Sequence, residues 1–191
     1  MTRTRNPYLE ELNYQKAQQA RYERGVRITG EHDPGYAHKL HNTITTLEAK
    51  AEYWEYEKHL NQHNLHPILL PSYVTDNILS LLVAYSAYED VIAKLTITYN
   101  PADHTLHMEI FSVVDGEVET TADTHDFNIP NNQASEYKGF TEPCEFTYQP
   151  DPETENLTAN TAVFLPELSH TEGNRKKILR PHGLYLLTPK P

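Results

Sequence analysis

Between Tyr8 and Trp54 the apolar residues recur at intervals of three and four, whereas from Leu95 onward they recur at every second position. The first spacing draws a stripe along a helix, and the second draws one face of a strand. The chain therefore reads as helices first and strands afterwards, an α+β order.

Asn6-Pro7 starts the first helix, with an N-cap side chain followed by proline at the first helical position. Tyr8, Leu12 and Tyr22 share its stripe, and Gly25, directly after Arg24, is the expected left-handed stop. Asp33-Pro34 repeats the start signal, and nothing interrupts the helical pattern before about Asn64. Ala37, Leu40, Ile44, Leu47, Ala51 and Trp54 form the seam of a packed helix pair. That seam predicts an antiparallel hairpin with the first helix. The same seam on the 34–64 helix would equally serve a homodimer, though it fades after Trp54 into Lys58 and Asn61. His66-Pro67 to Pro71 reads as a turn-rich link. Thr75 or Asp76 caps a third helix, in which Ile78, Leu79, Leu81, Leu82, Val83 and Tyr85 are apolar on nearly every side. Such a helix belongs at the centre of a fold.

Leu95, Ile97 and Tyr99 then alternate with Lys94, Thr96 and Thr98. After the turn chemistry of Asn100-Pro101-Ala102-Asp103, the alternation resumes in Leu106, Met108 and Ile110 and closes at Val114. Asp115-Gly116 is a two-residue hairpin signal. Beyond it Val118, Thr120 and Ala122 face one side, with Glu117, Glu119 and Asp123 on the other. Three antiparallel strands follow from this pattern. Residues 128–143 read as a polar loop, 145–148 as a short strand, 149–156 as an acidic loop, and 161–165 and 184–187 as buried strands. The expected architecture is a helical hairpin module over residues 1–66, then an α+β domain over 67–191. In that second domain a third, buried helix precedes a mostly antiparallel β-sheet.

Composition adds compartment. Only 38% of the 191 residues are apolar, but thirteen tyrosines supply large amphipathic area for a core. Cys144 is the single cysteine, which excludes an intrachain disulfide and a thiolate-rich zinc site. It lies between Glu142 and Glu145, whose negative charge is expected to raise its pKa and keep the thiol unreactive. The polar, basic Met1–Asn6 leads into no apolar signal segment, and no run approaches the roughly 18 apolar residues of a membrane span. A cytoplasmic protein with no membrane partner is expected. Asn156-Leu157-Thr158 then has no meaning as a glycosylation site.

Charge changes the picture most. From Leu95 to Asn174 there are fifteen Asp and Glu against one cation, Lys138, a net of −14 within a chain of net −11. Residues 1–30 instead hold six bases against three acids, and Arg175, Lys176, Lys177 and Arg180 make a second basic patch. A long acid-only block attracts basic partners and repels nucleic acid and anionic membranes. On an extended strand Glu117, Glu119 and Asp123 share a face, about 6.8 Å apart at ~3.4 Å per residue. Asp126 and the loop acids Asp151, Glu153 and Glu155 add to the same field. Phosphates repeat on a comparable scale, ~3.4 Å of axial rise per strand. A row of carboxylates would therefore fit a groove built for nucleic acid. These seven acids are the candidate partner-binding residues. The expected partner is a basic protein, such as a nucleic-acid-processing enzyme that this chain would inhibit in the manner of an immunity-type or mobile-element factor. Direct nucleic-acid binding by this chain is not expected, and this reading needs no catalytic residue or cofactor.

Eleven histidines invite metal-site reasoning. His38 and His41 are three apart and His59 and His63 four apart, but neither pair has the acid of a zinc-protease motif. A different layout is Tyr99-Asn100-Pro101, His107-Met108-Glu109, Phe164-Leu165-Pro166 ahead of His170, then Arg180. This order resembles that of 2-oxoglutarate-dependent iron oxygenases, and cupin-like sugar-binding families have a similar one. The resemblance implies a double-stranded β-helix and an enzyme in which His107, Glu109 and His170 hold Fe(II) and Arg180 pairs with the co-substrate carboxylate.

Overall fold

The computed structural model describes residues 5–86, 94–114, 117–149, 153 and 156–191. The chain divides into two compact units, one of Met1–His59 with Pro166–His182 and one of Leu60–Leu165 with Gly183–Pro191. Its class is α+β, with a helical hairpin, a third helix and a mostly antiparallel sheet.

In the first unit, helix α1 spans Leu9–Thr29 and α2 spans Pro34–Gln62, the latter crossing into the second unit at its end. Helix α1 runs straight through Gly25. It stops instead at Gly30, whose φ of 74° is left-handed and whose amide donates to the Val26 carbonyl. Glycine inside a helix costs only about 1 kcal/mol relative to alanine, so Gly25 does not by itself terminate one. The Asn6 side-chain oxygen Oδ1 accepts the Tyr8 amide, while its side-chain NH₂ donates to the Ala51 carbonyl and to Glu55 on α2. Asp33 caps α2 by accepting the Tyr36 amide. The expected seam is present as a cluster of Leu12, Leu40, Ile44 and Leu47.

The same unit holds a ribbon missed by pattern reading, β7 (Leu168–Glu172) paired antiparallel with β8 (Arg175–Arg180). Its anchor is Arg180, only 6% exposed. That guanidinium donates to the Pro166 carbonyl, pairs with Glu52 of α2 at 3.4 Å, and lies over the Tyr56 ring of α2, 4.9 Å from its centre. Helix α2 thus uses a second stripe beyond the seam, with Ala49 and Tyr56 buried.

The second unit is a seven-stranded sheet in the order β1-β9-β6-β5-β2-β3-β4. The strands are β1 (Leu65–Leu69), β2 (Lys94–Asn100), β3 (Thr105–Val114), β4 (Glu117–Asn128), β5 (Cys144–Gln149), β6 (Thr161–Leu165) and β9 (Gly183–Pro189). All neighbours are antiparallel except β5 and β6. The β2–β3–β4 meander forms as expected; the Asp115-Gly116 turn lies outside the described residues. The stretch read as a link, His66-Pro67 to Pro71, is largely strand β1. Pro67 is tolerated because β1 is an edge strand, where a missing amide donor need not break the ladder.

Helix α3 (Ser72–Ser86) starts before the expected caps, so Thr75 and Asp76 fall inside it. Thr75 is buried and accepts the Leu184 amide of β9. Among its described side chains α3 is one-sided: Val74 and Ile78 are fully buried, while Asp76, Asn77 and Ser80 are exposed. The supposed loop at 128–143 contains a 3₁₀ segment, Ala134–Phe140, which inserts Tyr137 and Phe140 into the core beside Tyr99 and Phe146.

Candidate functional site

The two units differ sharply in charge. Met1–His59 and Pro166–His182 contain thirteen Lys and Arg against eleven Asp and Glu, a net of +2. Leu60–Leu165 and Gly183–Pro191 contain three Lys and Arg against sixteen Asp and Glu, a net of −13. The two basic stretches, far apart in sequence, belong to one unit, and all of the net negative charge belongs to the other.

Within the acidic unit the outermost strand is β4, and its sequence EVETTADTHDFN has four acids and no Lys or Arg. β-Pairing with β3 sets which side each residue takes. Leu106, Met108 and Ile110 are buried on the core side and stand opposite Phe127, His125 and Asp123. Asp126 stands opposite His107 on the other side, and its carboxylate lies 2.7 Å from His107 Nδ1, with the two side chains 67% and 41% exposed. Asp123 and Asp126 are therefore on opposite faces of one strand, as their odd separation requires. The acids of β4 border the edge of the sheet and do not share a single face. Glu117 is in register with Val114, after an irregularity between Phe111 and Val113. Glu119 is also on β4, Glu153 is exposed, and Asp151 and Glu155 lie outside the described residues. The face of the sheet away from the core adds Glu109, across from Thr96 and Thr124, and Glu145. Lys94 is ion-paired to that glutamate at 2.7 Å.

The residues of the iron-site expectation fall in two different units. His107 and Glu109 are on β3 of the acidic unit, and His170 is on β7 of the other. Among the described residues no three His, Cys, Asp or Glu side chains come together to hold a metal ion. Residues 166–182 leave the sheet to form their own ribbon, so the layout is not that of a double-stranded β-helix. Arg180, assigned by that resemblance to a co-substrate, is engaged with Glu52, Tyr56 and the Pro166 carbonyl. Comparison with protein-family models, with curated proteins and with solved structures finds no match to the chain.

Cys144 does have a raised pKa, but burial is the cause and not the neighbouring glutamates. Glu167 is held below the usual carboxylate range, first by its hydrogen bond from Lys176, then by that from Ser169. No helix among the described residues is long and apolar enough to cross a membrane.

His170 is 6% exposed, and neither ring nitrogen has a hydrogen-bond partner among the described residues. A buried polar group without partners costs about 1–3 kcal/mol. His170→Leu is accordingly expected to leave the helical unit as stable or stabilise it by up to about 2 kcal/mol. Urea unfolding followed by the fluorescence of Trp54, the only tryptophan, reads that unit directly. A loss of more than about 1 kcal/mol would show that the ring has partners that leucine cannot replace.

Proposed function

We propose that this chain is a non-enzymatic docking factor whose acidic unit, through the β4 edge, binds a basic surface on a partner protein. The best-fitting partner surface is a groove built for nucleic acid, and occupying it would inhibit the partner competitively. The supporting observation is the charge partition, −13 in the unit whose outer strand carries Glu117, Glu119, Asp123 and Asp126 and no cation. Such a field speeds encounter with a cationic surface, and its effect falls with salt. It also opposes direct binding of the acidic unit to nucleic acid.

Acids on an edge strand have a second use, since charge there discourages edge-to-edge aggregation. Reversing Glu117 and Glu119 to lysine separates the two readings, because lysine protects an edge as well as glutamate does. Under the docking reading, the double reversal costs on the order of 100-fold in affinity for the captured partner. The measurement is capture of basic nucleic-acid-binding proteins from host extract at low and moderate salt, with displacement by added DNA or RNA. Binding that survives the reversal and ignores salt would defeat the docking reading.

A further inference from the structure

The β7–β8 ribbon ends in a solvent-exposed arm. Residues 171–178 are all exposed, and Ile178, in the middle of β8, is 51% exposed. A two-stranded ribbon is marginal by itself in water, and a third strand would complete it. Among the described residues, each of β7 and β8 has one backbone edge without a partner in its sheet. The arm is also basic: Arg175, Lys176 and Lys177 stand against Glu172 alone within residues 171–178. Exposed ion pairs from Lys176 to Glu167 and from Lys177 to Glu172 hold the ribbon, and pairs so exposed contribute little.

The same chain carries the complementary element. Strand β4 is the outer strand of the seven-stranded sheet, with no strand partner on its other edge among the described residues and four acids over twelve residues. Every copy thus presents one acidic strand edge and one basic strand edge, in separate sheets.

We infer that a second copy of this chain is a partner of the acidic edge: β4 of one copy adds to the exposed edge of β8 of the next. The inference rests on the docking reading, because it uses the same strand, and it names the cationic surface. Backbone hydrogen bonds would supply the adhesion and the charges the choice of edge. Since the two surfaces differ, the contact is heterologous, and repetition builds a ring or an open chain instead of a closed two-fold pair.

Sedimentation velocity of the full chain over a hundredfold range of concentration, at roughly 50 mM and 300 mM salt, tests it. The expected result is mass that grows with concentration at low salt, with association at least about tenfold weaker at the higher salt. Glu117→Lys/Glu119→Lys and Arg175→Glu/Lys177→Glu should each abolish growth, and an equimolar mixture of the two variants should restore it. Circular dichroism checks that the variants fold; if either does not, the wild-type salt and concentration series decides alone. A wild type that stays monomeric at low salt overturns the inference, as does a dimer of fixed size that neither pair of substitutions disturbs. A monomer that still captures a basic host protein through Glu117 and Glu119 sinks self-association and leaves the docking reading standing. Self-association that Glu117→Lys/Glu119→Lys abolishes, beside host capture that the same substitutions leave unchanged, sinks the docking reading for host proteins and leaves the inference standing.

Discussion

Tyr137→Ala is expected to destabilise the sheet-containing unit by about 3–5 kcal/mol, on the scale of a large side chain removed from a packed core. Tyr137 is completely buried, projecting from the 3₁₀ segment into contact with the rings of Tyr99 and Phe140, with its hydroxyl donating to the Leu69 carbonyl at 3.4 Å. No helix seam or strand ladder compensates for its loss, because the segment carrying it is short and irregular. Tyr137→Phe keeps the ring and removes only a long hydrogen bond, so it should cost about 1 kcal/mol or less. The two substitutions also separate at high pH. Burial, then the negative field of Glu136 and the influence of Tyr73, hold the Tyr137 pKa far above the ordinary tyrosine value of 10.0. Above pH 10 the unfolded chain has lost a proton that the folded chain keeps. Stability therefore falls as pH rises, by up to ~1.4 kcal/mol per pH unit from this group. Tyr137→Phe should remove that share of the slope. Urea unfolding by far-ultraviolet circular dichroism at pH 8 and pH 11 measures both effects, with Trp54 fluorescence as a control for the helical unit. An alkaline slope unchanged in Tyr137→Phe would show that the hydroxyl is not held neutral by its surroundings.

Gly183→Val should be nearly as damaging, at about 3 kcal/mol or more, and Gly183→Ala should cost about 1–3 kcal/mol. Gly183 opens β9 opposite Leu165, with φ of 157°, and a β-carbon placed there would stand 2.6 Å from Leu69 Cδ1 and 3.8 Å from Thr75 Oγ1. The absence of a side chain lets β1, the start of α3 and β9 converge, where the Leu184 amide reaches the Thr75 hydroxyl and its carbonyl accepts the Leu70 amide. The obstructing atom is the end of a flexible leucine, which predicts a coupling. Leu69→Ala should relieve part of the cost of Gly183→Ala, visible in a double-mutant cycle by denaturant unfolding. Strict additivity would instead assign the cost to backbone strain.

The helical hairpin and the β2–β3–β4 meander were legible because each rests on long stretches of one period. Leu40 and Ile44 meet Leu12, and Leu95, Ile97 and Tyr99 face the same core as Leu106, Met108 and Ile110. Strands β6 and β9 were also legible from their short apolar runs. The elements that escaped are those whose local signals point elsewhere. Strand β1 contains Pro67, and an edge strand tolerates a residue that a central strand would reject. The segment around Tyr137 lies among asparagines and prolines, and only its aromatic spacing hinted at burial. Ribbon β7–β8 carries so much charge that no apolar alternation marks it, and its inward residues include His170 and Arg180. One signal was available: Tyr53, Tyr56 and Leu60 continue at helical spacing after the seam fades, which foretold a second packed face on α2.

For the candidate site, composition alone established that acids accumulate in the C-terminal half and cations near both ends. It did not decide how those charges are shared out. Pairing did: the parity of β4 against β3 set Asp123 and Asp126 on opposite faces, and the exclusion of residues 166–182 from the sheet joined the second basic patch to the helical unit. By itself, then, the order of residues determined which segments coil, which extend and where the net charge lies, because periodicity and charge are properties of neighbours along the chain. Only the tertiary structure decided that β4 is the outer strand of its sheet, that residues 175–178 of β8 are exposed, and that His107 and Glu109 fall in one unit and His170 in the other. Those outcomes depend on contacts between residues distant along the chain, as where β9 pairs with both β1 and β6, and no local spacing records such contacts.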